Sequence, residues 1–328
     1  MTGRVQTERA QTALAPQRDV GDVGTTALPF TRRRAIRARR LRQAGVALLL
    51  LAPAALAYAV FVLRPIVYTI QYSFYDWNGI AESTWVGLGN YTRILTDPEL
   101  FGPILHAFEL IVYFSLVPVS LGLLAAATIR KFATTRVAVV ARVVLFLPQV
   151  IPLVAAGIMW TWLMSTDGLV NQFLRLVGLG SITRAWLGEF DTALPAVGLI
   201  GAWVSLGLCM VLLLAGMTKI DPALYEAARL DGAGPVREFF AITLPSVRQE
   251  LGICLTVTVI SALASFDIIY ISTQGGPGNS TLVPGLEIYY LAFFEREVGQ
   301  ASALAVVLML LVLAVVLPLQ RVARGSES

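Results

Sequence analysis

Charge is scarce in this chain of 328 residues: Asp, Glu, Lys and Arg together make 14% of it, against about 25% in soluble domains. Apolar residues make 56% without counting glycine, where soluble domains reach about 45–50% with it. Mean hydropathy is +0.72. These values exclude a disordered chain and an ordinary soluble enzyme. Cysteine occurs twice, as Cys209 and Cys254, both inside apolar runs. They read as small core residues and exclude a disulfide scaffold. The single histidine, His106, has no partner at metal-ligand spacing, so no metal and no cofactor is expected. Paired carboxylates and His/Cys constellations are missing, which leaves a membrane enzyme without catalytic material. No G-x-x-x-x-G-K-[ST] stretch occurs, so the chain does not bind ATP in the usual way.

What the chain does have is long apolar runs. A bilayer span needs roughly 20 apolar residues. Runs of that order occupy 44–63 (continuing past Arg64-Pro65 to Ile70), 104–129, 139–164, 194–216, 251–271 and 300–319. Sheet edges cannot face lipid, so such runs are expected to be helices. The predicted fold is all-α: a polytopic membrane protein of six transmembrane helices over 44–320, with an Arg-rich tail at 1–43 and a short tail at 321–328. A secretory signal is the competing reading of the first run, since Ala55-Leu56-Ala57 resembles a small-residue cleavage site. A long tail before the run and five runs after it favour an uncleaved span.

Seven arginines fall between Arg32 and Arg42. Beside an apolar span such a run marks the cytoplasmic side or touches anionic lipid, and no nucleic acid is expected as a partner. Arg130, Lys131, Arg136 and Arg142 flank the second turn-around, and Arg321 and Arg324 the C-terminal tail, while the alternate loops are poor in basic residues. Both termini are therefore expected in the cytoplasm, together with the loop 217–250.

That loop is built for helices. Asp221 is an N-cap candidate and Pro222 suits the first helical position. Leu224, Ala227, Ala228 and Leu230 share one small apolar face. Asp231-Gly232 stops the helix, because glycine accepts left-handed dihedrals. Gly234-Pro235 starts a second helix carrying Val236, Phe239, Phe240 and Ile242, which ends at Leu244-Pro245. The product is a helical hairpin with a Gly-rich tip. It is either a packed connector or a docking element for a partner.

The spacing Glu226-Ala227-Ala228, three residues, Gly232, nine residues, Ile242-x-Leu244-Pro245 resembles the EAA motif of ABC importer permeases at every signature position. Phe266-Asp267-Ile268-Ile269-Tyr270, with Thr273-Gln274-Gly275-Gly276-Pro277, resembles the stretch after the fifth core helix of carbohydrate permeases. Val86-Gly87-Leu88-Gly89-Asn90-Tyr91 resembles their first outer loop, and Gly168-Leu169-Val170-Asn171 with Trp186-Leu187 their second. The likeness covers roughly 46–320 and is to the MalF-like sugar permease family, with a departure at Ser272, where an aliphatic residue is usual. It implies that the hairpin, through Glu226, Ala227, Ala228, Asp231, Gly232, Ile242, Leu244 and Pro245, sits in a cleft of a separate ABC ATPase dimer. It also implies a second, different permease chain, an extracytoplasmic substrate-binding protein, and a sugar (disaccharide, oligosaccharide or glycerol 3-phosphate) as substrate. Glu226 would orient the hairpin by capping or by pairing, for instance with Arg229 or Arg248.

Cys254, Thr258, Ser261 and Ser265 recur at steps of four, three and four, which puts them on one helical face. The face serves helix packing or lines a substrate path; the resemblance favours lining. Trp203 and Ser205 match the family's Trp-containing start of the fourth span, and Asp267 lies near the outer end of the fifth, where carboxylates usually face protein or water. A stand-alone secondary transporter is the alternative function, although no internal repeat of the kind common in that class is evident.

Overall fold

The structure, a computed structural model, describes residues 49–132 and 135–324. The Arg-rich segment 1–43 and residues 325–328 lie outside the described residues. Two units are distinguished, Met1–Leu63 and Arg64–Ser328. The described part of the first is helical, closes on a π-helical turn at Ala59–Leu63, and buries none of its side chains.

The second unit opens with α1 (Arg64–Tyr72). A two-residue antiparallel pair follows, β1 (Tyr75–Asp76) with β2 (Thr84–Trp85). It is the only pair of strands among the described residues. Then come α2 (Gly89–Thr96), α3 (Pro98–Lys131), α4 (Arg136–Val150), α5 (Leu153–Leu163), α6 (Leu169–Leu176) and α7 (Phe190–Met217). The hairpin helices are α8 (Pro222–Leu230) and α9 (Pro235–Ser246). The chain closes with α10 (Arg248–Leu263), α11 (Asp267–Ser272), α12 (Pro284–Tyr290) and α13 (Val298–Arg324).

Among the described residues four helices are long and apolar enough to cross a bilayer: Leu49–Tyr72, Pro98–Lys131, Phe190–Met217 and Val298–Arg321. The remaining two expected spans are helical but not straight. Within 139–164 helix α4 turns by 101° into α5; within 251–271 helix α10 stops at Leu263 and α11 begins at Asp267, and ahead of that run α9 turns by 70° into α10. Prolines account for the first break: Leu147-Pro148-Gln149-Val150 tightens to a 3-10 turn, and Ile151, ahead of Pro152, is extended. A residue before proline is pushed out of the helical region. The π-helical turns at Val112–Leu116 and Phe239–Thr243 likewise precede Pro118 and Pro245, which cannot donate to the carbonyl four residues back.

Helix α7 is the centre of the packing, with a side buried along most of its length. Small residues let backbones approach in membrane helices. At Gly198 a Cβ would lie 2.5 Å from Tyr113 Cβ, and Gly201 faces the Phe114 ring, both on α3. At Gly207 it would lie 2.6 Å from the Leu145 carbonyl oxygen of α4. Two clusters flank these contacts, one around Phe114, Val197, Ile200 and Ile268, the other around Cys209, Met210, Leu213 and Cys254. Helix α13 joins α10 and α3 through Ala107, Val259, Leu263 and Val316.

The connecting loops are pinned by amides. Asn90 Nδ2 donates to the carbonyls of Ser73 and Tyr75, both at 2.9 Å. Asn171, fully buried, donates to the carbonyls of Ser165, Thr166 and Arg184, and its Oδ1 accepts from Trp186 Nε1 at 2.9 Å. Those are the Asn and Trp of the two outer-loop motifs.

Replacing Gly207 by alanine forces a backbone shift between α7 and α4, at a cost of about 1–3 kcal/mol. Gly102→Ala, where a Cβ meets nothing within 4 Å among the described residues, is expected to be neutral or slightly stabilising. Thermal melting of the two purified variants checks the contrast.

Candidate functional site

The hairpin grows from the ends of α7 and α10, and its roots are tied together. Lys219 Nζ meets Glu250 Oε1 at 2.9 Å, with the Glu250 side chain only 12% exposed. It lies against Gly216, where a Cβ would come within 2.6 Å of Glu250 Cδ. Asp221 caps α8 by accepting from the Ala223 amide at 2.9 Å, with Pro222 at the first helical position. At the other end Gly232 has φ +79°. Its amide donates to the Arg229 carbonyl at 3.0 Å and the next amide, of Ala233, to the Ala228 carbonyl at 2.9 Å. This is a Schellman closure, which needs a residue comfortable in the left-handed region.

Two side-chain pairs then bind the helices of the hairpin to each other. Arg229 Nε donates to Glu238 Oε1 at 2.8 Å and Nη2 to Oε2 at 3.4 Å. The Arg229 hydrogen bond holds the Glu238 carboxyl below its ordinary range, and the same contact raises Arg229. Tyr225 is the buried residue of α8, and its hydroxyl lies 2.9 Å from Thr243 Oγ1 of α9. The Arg130 guanidinium at the end of α3 sits 3.9 Å over the Tyr225 ring and also donates to its hydroxyl. The hairpin is thus a braced unit, attached to α3 as well as to its own roots.

The expected partners of Glu226 are not found. Arg229 pairs with Glu238 across the tip, and Glu226 is exposed with no ion pair or side-chain hydrogen bond among the described residues. Ala227, Asp231, Gly232 and Pro245 are exposed too, while Ala228, Ile242 and Leu244 are half-buried. Leu224 and Leu230 point outward, joined by Val236 and Phe240 of α9. Sequence reasoning missed Arg130, Tyr225, Glu238 and Thr243. The Arg229–Glu238 pair spans the glycine tip, so no helical spacing signals it.

The polar residues of the spans divide. Cys254 and Thr258 are buried, with Thr258 Oγ1 donating to the Cys254 carbonyl at 2.8 Å and Cys254 against the backbone of Cys209. Ser261 is exposed and donates to the Val257 carbonyl at 3.0 Å. Helix α10 ends at Leu263, so the single helical face expected for all four residues stops at Ser261. Ser265 lies beyond it, buried, its hydroxyl without a partner among the described residues. Asp267 is exposed at the start of α11. Trp203 and Ser205 are half-buried on α7, and Trp203 meets Trp160 of α5 edge-on, ring centres 5.4 Å apart. Trp160, Trp203, Phe266 and Tyr270 border one cluster, an aromatic grouping that three separated elements assemble.

The described residues thus form a bundle of apolar helices that carries a braced hairpin. Residues 119–323 match the family described as Binding-protein-dependent transport system inner membrane component, and the chain belongs to that family. It is 34% identical over 262 residues to the probable ABC transporter permease protein YurN of Bacillus subtilis, covering 79% of this chain and 90% of that one. With the diacetylchitobiose uptake system permease protein NgcF of Streptomyces coelicolor identity is 32% over 82% of this chain and 80% of the relative. With the trehalose/maltose transport system permease protein MalF of Thermococcus litoralis it is 31% over 87% and 96%. The fold is shared with a chain of a bacterial ABC transporter involved in import of the acidic polysaccharide alginate, at TM-score 0.76 and 21% identity, covering 88% of this chain and 99% of that one. The family assignment lends nothing to the secondary-transporter alternative.

Because the folded-state pKa of Glu238 is lowered, its contribution is complete above the ordinary carboxylate range and is lost only as pH falls through the lowered value. Hydrogen-exchange protection factors across 225–245, taken relative to the intrinsic rate at each pH, should stay nearly constant from neutral pH down to about 4.3, the ordinary glutamate value. Glu238→Gln should lower those protection factors at neutral pH, and the difference from wild type should close as pH falls through the lowered Glu238 value.

Proposed function

We propose that the chain forms the translocation path of an ATP-driven sugar importer and couples it to a separate ATPase through the hairpin 217–250. The observation that carries the reading is the hairpin itself: the EAA spacing falls on two helices closed by Gly232 and braced by Arg229–Glu238 and Tyr225–Thr243. A braced element transmits displacement, whereas a loose connector absorbs it. Its exposed Glu226, Leu224, Leu230 and Phe240 form a mixed charged and apolar surface suited to a cleft on the ATPase dimer. A second, different permease chain completes the path, and an extracytoplasmic binding protein delivers the sugar. The relatives named for diacetylchitobiose and for trehalose and maltose support an oligosaccharide or disaccharide as substrate. Both termini and the hairpin lie in the cytoplasm.

On this reading Ser261, open to its surroundings, lines the path. Ser265 with its unspent hydroxyl, Asp267, and the Trp203 ring beside Ser205 contribute from the same end of the bundle, while Thr258 packs against its own helix. Bulky replacement of Ser261 is expected to reduce uptake with subunit assembly intact; normal transport with lost assembly would make it a packing residue.

The assignment is tested by co-purification of the partners followed by ATPase assays over a panel of sugars. Reporter fusions at Ile80, Gly180 and Gly285 should read as external and one at Pro235 as internal. An external reading at Pro235 would overturn the coupling role.

Gly232 and Glu226 should fail differently. A Cβ on Gly232 meets nothing within 4 Å among the described residues, so its intramolecular cost is dihedral strain of about 1 kcal/mol. Gly232→Asp should therefore loosen the ATPase from membranes mainly through the partner surface. Glu226→Ala, which breaks no contact within the described residues, should keep the ATPase bound and lower transport per ATP. ATPase retention measured beside sugar uptake separates the two.

A further inference from the structure

We propose that the cavity between the hairpin and the Lys131 end of α3 binds the phosphate headgroup of an anionic phospholipid. The inference rests on the permease reading, with the hairpin at the membrane surface. The cavity has a volume of about 370 Å³ and is walled by Leu124, Ala127, Arg130 and Lys131 from α3 and by Val236 and Phe240, among others, from the hairpin.

Three features favour such a ligand. First, Leu121, Leu124, Thr128 and Lys131 are all exposed and recur at steps of three, four and three, so one outward face of α3 runs from apolar to basic as it reaches the cavity. That gradient matches the passage from acyl chains to headgroups. Second, the cavity holds three cations, Arg130, Lys131 and Arg229, against one carboxylate, Glu238. Glu238 is already engaged by Arg229. Arg130 spends one nitrogen on Tyr225 and has further N–H donors in its guanidinium. Lys131 makes no side-chain hydrogen bond or ion pair among the described residues. Unspent cationic donors facing one space at a membrane surface are a phosphate-binding arrangement. Third, the volume suits a phosphate and its glycerol, not a whole lipid, and the exposed Leu121 and Leu124 give the acyl chains an apolar exit. A soluble phosphate compound would use the same cations but has no use for that exit.

The test uses the importer purified with its partner subunits and placed in phosphatidylcholine nanodiscs containing a minor share of phosphatidylglycerol. Native mass spectrometry then counts the lipid carried out by the protein. Wild type and a control, Arg321→Gln, are expected to retain phosphatidylglycerol over phosphatidylcholine. Lys131→Gln should lower that retention several-fold and Arg130→Gln with Lys131→Gln by roughly tenfold or more, as loss of two interfacial cations implies. Equal retention by wild type and the double variant would overturn the proposal. So would retention of phosphatidylcholine to the same degree, or displacement by inorganic phosphate, which would mark a soluble-anion site. Should the double variant fail to assemble, Lys131→Gln alone decides, since it removes no side-chain hydrogen bond or ion pair among the described residues. Failure of the permease reading would show separately, as absence of a co-purifying ATPase, while lipid retention by this chain can still be counted.

Discussion

Close approach of helices to α7 is the constraint on which the rest of this structure depends. In a bilayer no hydrophobic force distinguishes a neighbouring helix from lipid, so association comes from packing and from what the backbone permits. Here α7 offers glycine where α3 presents Tyr113 and Phe114, where α4 presents the Leu145 carbonyl, and where α10 presents Glu250. Three helices are thereby held against one axis, because α7 carries no side chain where Tyr113, Phe114 and Glu250 of its neighbours fill the space. The last of these contacts, Gly216 with Glu250, is also the root of the hairpin. Helix packing and hairpin geometry are set by the same residue pattern.

The hairpin has a different physics. It is short and exposed, with Leu230 and Val236 outward at its tip, so it cannot rely on burial. Its order comes from local closure at Asp221 and Gly232 and from directional contacts that cross between elements: Lys219–Glu250, Arg229–Glu238, Tyr225–Thr243 and the Arg130 guanidinium on Tyr225. The last of these makes α3 part of the assembly. A displacement of α8 therefore moves the end of α3 with it, or else separates a cation from an aromatic face.

Much of this was legible in the sequence because much of it is local. Asp221-Pro222, Asp231-Gly232 and Gly234-Pro235 fix the limits of both hairpin helices, and each of those signals operates within a few residues. Hydropathy located the spans for the same reason. It failed to show their breaks, because apolar runs continue through Pro148 and Pro152 and through Ala264–Phe266 without a change in composition. The prolines were the available signal for the first break. The partners of Arg229 and Tyr225, and the meeting of Trp160 with Trp203, depend on how separate elements are brought together. Periodicity carries no information about that. The face expected to run from Cys254 to Ser265 failed for a related reason: spacing implies a common face only while the helix continues.

The sharp turn between α4 and α5 has a consequence for the surrounding bilayer. At 1.5 Å per residue Arg136–Val150 rises roughly 22 Å, short of the roughly 30 Å hydrocarbon thickness. Unpaired backbone at that depth is tolerated only against protein or water. Gly207 brings α7 to within contact of Leu145 and Phe146, just before the turn, so protein covers one side of it. A rod shorter than the hydrocarbon is matched to a bilayer by local thinning or by tilt, so two prolines set how much straight helix this part of the chain offers a membrane.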